Sequence, residues 1–257
     1  IARGLRVIRP DHRDTGKSEG FDGVGIPDIQ SMLAAKMRGA PVTPPYRLDD
    51  MAADMAGLLD ALGIGQAHVV GASMGGMIAQ LMAINHPGKV VSLTSIMSTT
   101  GNPALPRAAP EAQGLLTRRR PSPLTDREAY LDESVKAAQA LGSPAYPDDP
   151  AWLRERSAAS LDRAFRPAGM ARHYAAILAA PDRRKGLAGL TIPCTVIHGA
   201  DDPLVLPHGG RDTAASVPGA RLEEIAGMGH NIPRALEGRI ADLIAGTVTR
   251  AMPAAAG

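Results

Sequence analysis

Three short stretches carry residue types that together perform nucleophilic chemistry. Gly71-Ala72-Ser73-Met74-Gly75 sets a serine in a G-x-S-x-G frame, between an apolar run and a helix-forming run. A serine at a sharp strand-to-helix turn has an exposed hydroxyl on a strained backbone, and glycines two residues to either side keep Cβ atoms out of the bend. The N–H of Met74, at the start of the helix that follows, can donate to an oxyanion developing beside the serine. A serine hydroxyl is a weak nucleophile and needs a base, and the base needs an acid to hold its tautomer. Gly227-Met228-Gly229-His230-Asn231 supplies His230 in a glycine-bearing loop, and His198-Gly199-Ala200-Asp201-Asp202-Pro203 supplies two adjacent acids. The order serine, acid, histidine is one of the three chain orders in which such triads recur. The chemistry is acyl transfer.

These residues need elements to position them. Ala67–Val70 reads as a short buried strand, Met74–Asn85 as a helix closed by Pro87, and Val90–Met97 as a second strand. Strand, helix, strand with short joins is the unit of a parallel sheet. Asp49–Leu62 carries Met51, Met55, Leu58, Leu59 and Leu62 at helical spacing, with Asp49 or Asp50 as cap and Gly63 as stop. The rhythm resumes with a strand at Cys194–His198, a helix around His208–Ser216, a strand at Arg221–Ile225 and a helix over Pro233–Thr249. Leu5–Arg9 reads as a further strand before the turn at Pro10-Asp11, and Ala251–Gly257 as a frayed tail. Between residues 99 and 180, recurrent prolines divide the chain into short helices, with Arg118-Arg119-Arg120 on a solvated face. Residues 21–47 form an irregular segment with a short helix at Ser31–Arg38, placed to act as a lid.

Composition removes several classes. A chain of 257 residues with 44% hydrophobic and 21% charged residues has enough apolar surface for a core. Lys and Arg number 28 against 26 Asp and Glu, and only 7 residues are aromatic, so neither phosphate backbones nor bases find a binding surface. No apolar run approaches a membrane span. The lone Cys194 excludes an internal disulfide and reads as a core residue, and no histidine pair has metal-ligand spacing. His68 and His198 on strands read as structural, and His12, His86, His173 and His208 fall at turns or helix ends. Met51, Met55, Met77 and Met82 read as core fillers, whereas Met74, Met97, Trp152, Phe165, Met170 and Tyr174 are candidates to border an apolar acyl site. With no charged leader at Ile1, the cytoplasm is the expected compartment.

The motifs resemble the α/β-hydrolase fold superfamily over residues 1 to about 249. Asp11-His12-Arg13-Asp14-Thr15-Gly16-Lys17-Ser18 is similar to its D-x-R-x-x-G-x-S turn. Gly199-Ala200-Asp201-Asp202-Pro203-Leu204-Val205 is similar to its acid loop, which favours Asp202, and Gly229-His230 to its histidine loop. The D-H-R-D-T-G-x-S and G-M-G-H-x-x-P stretches look more closely like the aclacinomycin methylesterase-like esterases of polyketide pathways. The resemblance implies a mostly parallel α/β sheet flanked by helices, with core residues 1–98 and 186–257 and a helical cap over 99–185. It implies a Ser73, His230, Asp202 triad with Met74 in the oxyanion hole, a small-molecule ester substrate and no cofactor or metal. In one respect the chain departs from the family, in which three strands precede the one at Leu5–Arg9 and a loop among them supplies a second oxyanion N–H. A truncated chain with an uncovered sheet edge is therefore expected. Cofactor-free haloperoxidase-like or lyase-like chemistry on the same triad, or an impaired ligand-binding homologue, are the rival readings.

Overall fold

A computed structural model describes residues 3–118 and 120–252. The elements run α1 (Ile29–Met37), α2 (Leu48–Ala61), β1 (Ala67–Ala72), α3 (Met74–Asn85), β2 (Val90–Ile96), α4 (Pro110–Thr117), α5 (Arg127–Leu141), α6 (Pro150–Arg163), α7 (Pro167–Ala179), α8 (Arg184–Leu187), β3 (Cys194–Gly199), α9 (Pro207–Ser216), β4 (Arg221–Ile225) and α10 (Glu237–Ala251).

The four strands among the described residues form a parallel sheet in chain order, with Val69 opposite Leu93, Leu93 opposite Cys194 and Val196 opposite Leu222. A parallel sheet is covered on both faces, so its inner strands read as continuous apolar runs and side chains alternate between two cores. Leu93, Cys194 and Val196 point into a core shared with Met51, Ile78 and Met82 of α2 and α3. Ile96 and Ile197 point the other way, against Leu236 and Ile240. Burying one such side chain fully is worth about 1.5–3 kcal/mol. The methionines expected in the core are there: Met51, Met77 and Met82 are buried, and Met55 packs against the same cluster. Cys194 is buried as expected, and burial pushes its thiol up to about 12.

Between β2 and β3, the prolines act as helix starters. Pro110, Pro150 and Pro167 occupy the first turns of α4, α6 and α7, where their missing N–H is not needed. Asp126 and Asp149 cap α5 and α6 by accepting from Ala129 N–H at 2.9 Å and Ala151 N–H at 2.7 Å. Both ends of this helical insertion meet at one place. The guanidinium of Arg183 donates to Gln80 Oε1 at 2.9 Å, Pro181 O at 3.1 Å and Thr99 O at 2.6 Å, and its backbone N–H donates to Thr100 O at 2.9 Å.

Several expectations need correction. Leu5–Arg9 is not a strand; Val7 and Ile8 are 56% and 39% exposed, and no backbone hydrogen bond joins them to another strand among the described residues. An alternating pattern makes a strand only beside a partner backbone, and the outer edge of β1 has no partner strand among the described residues. The helix expected to begin at Asp49 begins at Leu48, with Arg47 at the cap and Asp50 accepting the Arg47 N–H at 2.7 Å. His173 lies within α7, buried, with Nε2 hydrogen-bonded to Arg13 O at 2.7 Å. The frayed tail falls mostly outside the described residues, as does Arg119; Arg118 is exposed as expected. No helix among the described residues is long and apolar enough to cross a membrane.

Candidate active site

Ser73 sits at the join of β1 and α3 with φ 53° and ψ −119°. A β-carbon in the left-handed region is strained, so the surroundings must hold it there. Ser73 N–H donates to Ile96 O at 2.9 Å, and its carbonyl accepts from Gly76 N–H at 2.9 Å and from the Ser98 hydroxyl at 2.8 Å. The Met74 N–H, in the first turn of α3, has no acceptor among the described residues. Gly71 is required by a close approach: a Cβ there would lie 2.0 Å from Gly75 O. At Gly75 itself a Cβ meets nothing within 4 Å, so the expectation that glycines on both sides keep Cβ atoms out of a crowded bend is met only at Gly71.

His230 and Asp202 converge on this turn from the ends of β4 and β3. His230 Nε2 lies 3.0 Å from Ser73 Oγ, and His230 Nδ1 lies 2.7 Å from Asp202 Oδ2. Because a carboxylate only accepts, the proton between them belongs to Nδ1, which leaves Nε2 to accept from the serine hydroxyl. Asp202 is 2% exposed, and its Oδ1 accepts from Leu204 and Val205 N–H, both at 2.9 Å. Burial pushes its pKa up, but His198, His230 and the backbone donors outweigh it, so the carboxyl stays below its ordinary value and ionised. Asp201 does different work. Its Oδ2 accepts from Gly227 N–H at 2.7 Å and ties the acid loop to the histidine loop.

The family follows from the chain itself. Residues 1–233 match the α/β-hydrolase fold family. The chain belongs to that family. Rhodomycin D methylesterase of Streptomyces peucetius is 29% identical over 261 residues, spanning 95% of this chain and 81% of that protein. 3-Oxoadipate enol-lactonase 2 of Acinetobacter baylyi is 30% identical over 190 residues, or 72% of this chain and 66% of that protein. Among solved structures, 2-hydroxy-6-oxo-6-phenylhexa-2,4-dienoate hydrolase from Rhodococcus sp. strain RHA1 aligns over 93% of this chain and 78% of that one, with a TM-score of 0.65 at 18% identity. That likeness speaks for the fold alone. The parallel sheet flanked by helices is the one the family resemblance implied.

In this α/β-hydrolase, residues not singled out by motif also shape the site. Met97, the residue after β2, takes φ 40° and turns Ser98 back onto the Ser73 carbonyl. His198 is fully buried behind Asp202, with Nε2 3.5 Å from Asp202 Oδ2 and hydrogen-bonded to Val205 O at 2.7 Å. Its expected structural role fits that bond. Of the candidates for an acyl site, Met97 is buried, whereas Met170 is 62% exposed and Phe165 packs edge-on against Tyr130.

Proposed function

We propose that this α/β-hydrolase cleaves a carboxylic ester of a small molecule through an acyl-enzyme. The observation that carries the proposal is the unbroken relay from Ser73 Oγ through the His230 ring to the buried Asp202. Ser73 Oγ attacks the ester carbonyl while His230 Nε2 takes its proton. Asp202 stays ionised, holds the tautomer and stabilises the imidazolium that forms. The Met74 N–H donates to the oxyanion. As the tetrahedral intermediate collapses, the C–O bond to the alcohol breaks and His230 returns the proton to the leaving oxygen. Water then repeats the sequence against the acyl-serine and regenerates the enzyme. Nothing in these steps calls for a cofactor or metal. Residues 99–185 would act as the cap over this site and govern which esters reach it. Methyl esters are the first class to assay, since one relative is named a methylesterase and another an enol-lactonase.

A fluorophosphonate tests the proposal directly. Its phosphorus bonds to the serine oxygen as fluoride leaves, and the base takes the proton. Stoichiometric modification mapped to Ser73 by peptide mass spectrometry, and abolished in His230→Ala, is the expected result. A folded chain that stays unmodified, or is modified elsewhere, overturns the reading.

A further inference from the structure

His230 is held by two different parts of the chain. On one side the acid loop grips residues 227 and 228, with Gly227 N–H on Asp201 Oδ2 at 2.7 Å and Asp201 N–H on Met228 O at 3.0 Å. From Gly229 onward, the grip comes from the last residue of α5 and the α5–α6 connection, which lie in the helical insertion and far away in sequence. His230 N–H donates to Leu141 O at 2.7 Å. Gly229 N–H donates to Ser143 Oγ at 2.9 Å, and the Ser143 hydroxyl donates to Asn231 Oδ1 at 2.6 Å. Asn231 Nδ2 donates to Asp148 Oδ2 at 3.1 Å, and Arg234 N–H donates to Asp148 Oδ1 at 3.1 Å.

These bonds orient one another. Asp148 only accepts, so it fixes the Asn231 amide with nitrogen outward, and the Asn231 oxygen then faces Ser143. That spends the single Ser143 proton on Asn231 and leaves its lone pair for Gly229. Ser143 is buried at 3% exposure, so water does not replace these contacts. The approach is also close: a Cβ on Gly229 would lie 2.1 Å from Gly142 O. Residues on both sides of His230 are thus bonded to one serine, and the imidazole between them must meet Ser73 and Asp202 together.

We infer that Ser143, supported by Asp148, is a positioning residue for His230, so that the α5–α6 connection and the histidine move as one body. The inference rests on the proposed triad for its catalytic consequence. In such a site a displacement of about 1 Å costs on the order of 10²-fold in rate.

The test uses the full chain with two readouts. One is the rate of fluorophosphonate modification at Ser73. The other is the downfield proton resonance of His230 Nδ1–H, identified by its loss in His230→Gln. Ser143→Ala is expected to slow modification at least tenfold and to broaden that resonance, and Ser143→Thr, which keeps the hydroxyl, to restore both. Ser134→Ala serves as control, because the buried Ser134 hydroxyl only back-bonds to Tyr130 O in its own helix at 2.8 Å. Parental modification rate and resonance in Ser143→Ala overturn the inference. If Ser143→Ala does not fold, the milder Asp148→Asn decides in the same way, with a several-fold slowing expected and no change overturning it. A parent that resists modification yet loses its resonance in Ser143→Ala would uphold the positioning and sink the hydrolase reading instead.

Discussion

Gly71 and Gly75 flank Ser73 symmetrically in sequence but unequally in space. A methyl group at residue 71 would press on the backbone carbonyl of Gly75 from 2.0 Å, and neither partner is a side chain that can swing away. A methyl group at residue 75 enters open space in the first turn of α3. Gly71→Ala is therefore expected to distort the turn and abolish modification of Ser73. Gly75→Ala should keep its fold and gain about 0.5–1 kcal/mol from helix propensity. Chemical denaturation beside fluorophosphonate labelling checks both, and equal damage from the two substitutions would refute the asymmetry. At this scale much of the candidate site was legible, because the frames around Ser73, Asp202 and His230 are local and each follows a strand. Spacing left Asp201 and Asp202 open; the acid-loop resemblance pointed to Asp202, and the two acids prove to face different partners. Ser98, Ser143 and Asp148 were not legible. Each acts across a large sequence separation on a backbone group, and a lone serine or aspartate in a loop carries no signature of that.

Among the elements, those bracketed by turn residues appeared where the sequence put them. Met74–Asn85 and Arg221–Ile225 match residue for residue, and most other boundaries shift by one to four residues. Leu5–Arg9 failed because a strand is a property of two segments, and sequence alternation describes only one. The crossing of the two ends of the helical insertion was equally hidden. Gly101 passes so close to Pro181 that a Cβ would lie 2.6 Å from the proline carbonyl, and Arg183 ties both segments to Gln80 in α3. Burial pushes the Arg183 pKa down to about 10, with Asp49 and Asp182 pulling the other way. Its guanidinium remains charged at neutral pH, satisfied by neutral acceptors. Arg183→Met removes those donors and strands the buried Gln80 amide oxygen, at a cost of about 1–3 kcal/mol, along with the less buried Thr99 and Pro181 carbonyls. The expected loss in urea denaturation is at least ~2 kcal/mol, with Arg183→Lys intermediate because an ammonium lacks the planar fork. A loss below ~0.5 kcal/mol, the range of an ordinary surface substitution, would remove Arg183 as the fastening of this junction.

For the whole molecule, the near-balance of 28 basic and 26 acidic residues leaves acid stability to particular buried carboxylates. Asp14 dominates. Its two oxygens accept from Arg172 Nε and Nη2, both at 2.7 Å, from the Tyr46 hydroxyl at 2.6 Å and from Phe21 N–H at 2.8 Å. Both charged side chains are 1% exposed. Burial alone would raise the Asp14 pKa, but the guanidinium and the neutral donors hold it far below the usual carboxylate range. The unfolded chain therefore binds this proton more readily than the folded one. The stabilisation is complete above the unfolded value, near ~4, and is lost as pH falls from there toward the native value. Since Arg172 lies in α7 and Asp14 in the turn after residues 5–10, acid should loosen the helical insertion from the core. Asp14→Asn tests this with little backbone penalty, because asparagine tolerates the φ of 66° at this position. It should cost about 3–5 kcal/mol at neutral pH by leaving Arg172 buried against one fewer charge. Adding Arg172→Met should recover part of that loss. Urea midpoints measured from pH 7 to 3 are expected to fall steeply for the parent below pH ~4 and more gently for Asp14→Asn. Parallel curves for the two proteins would mean that the acid sensitivity resides in other carboxylates.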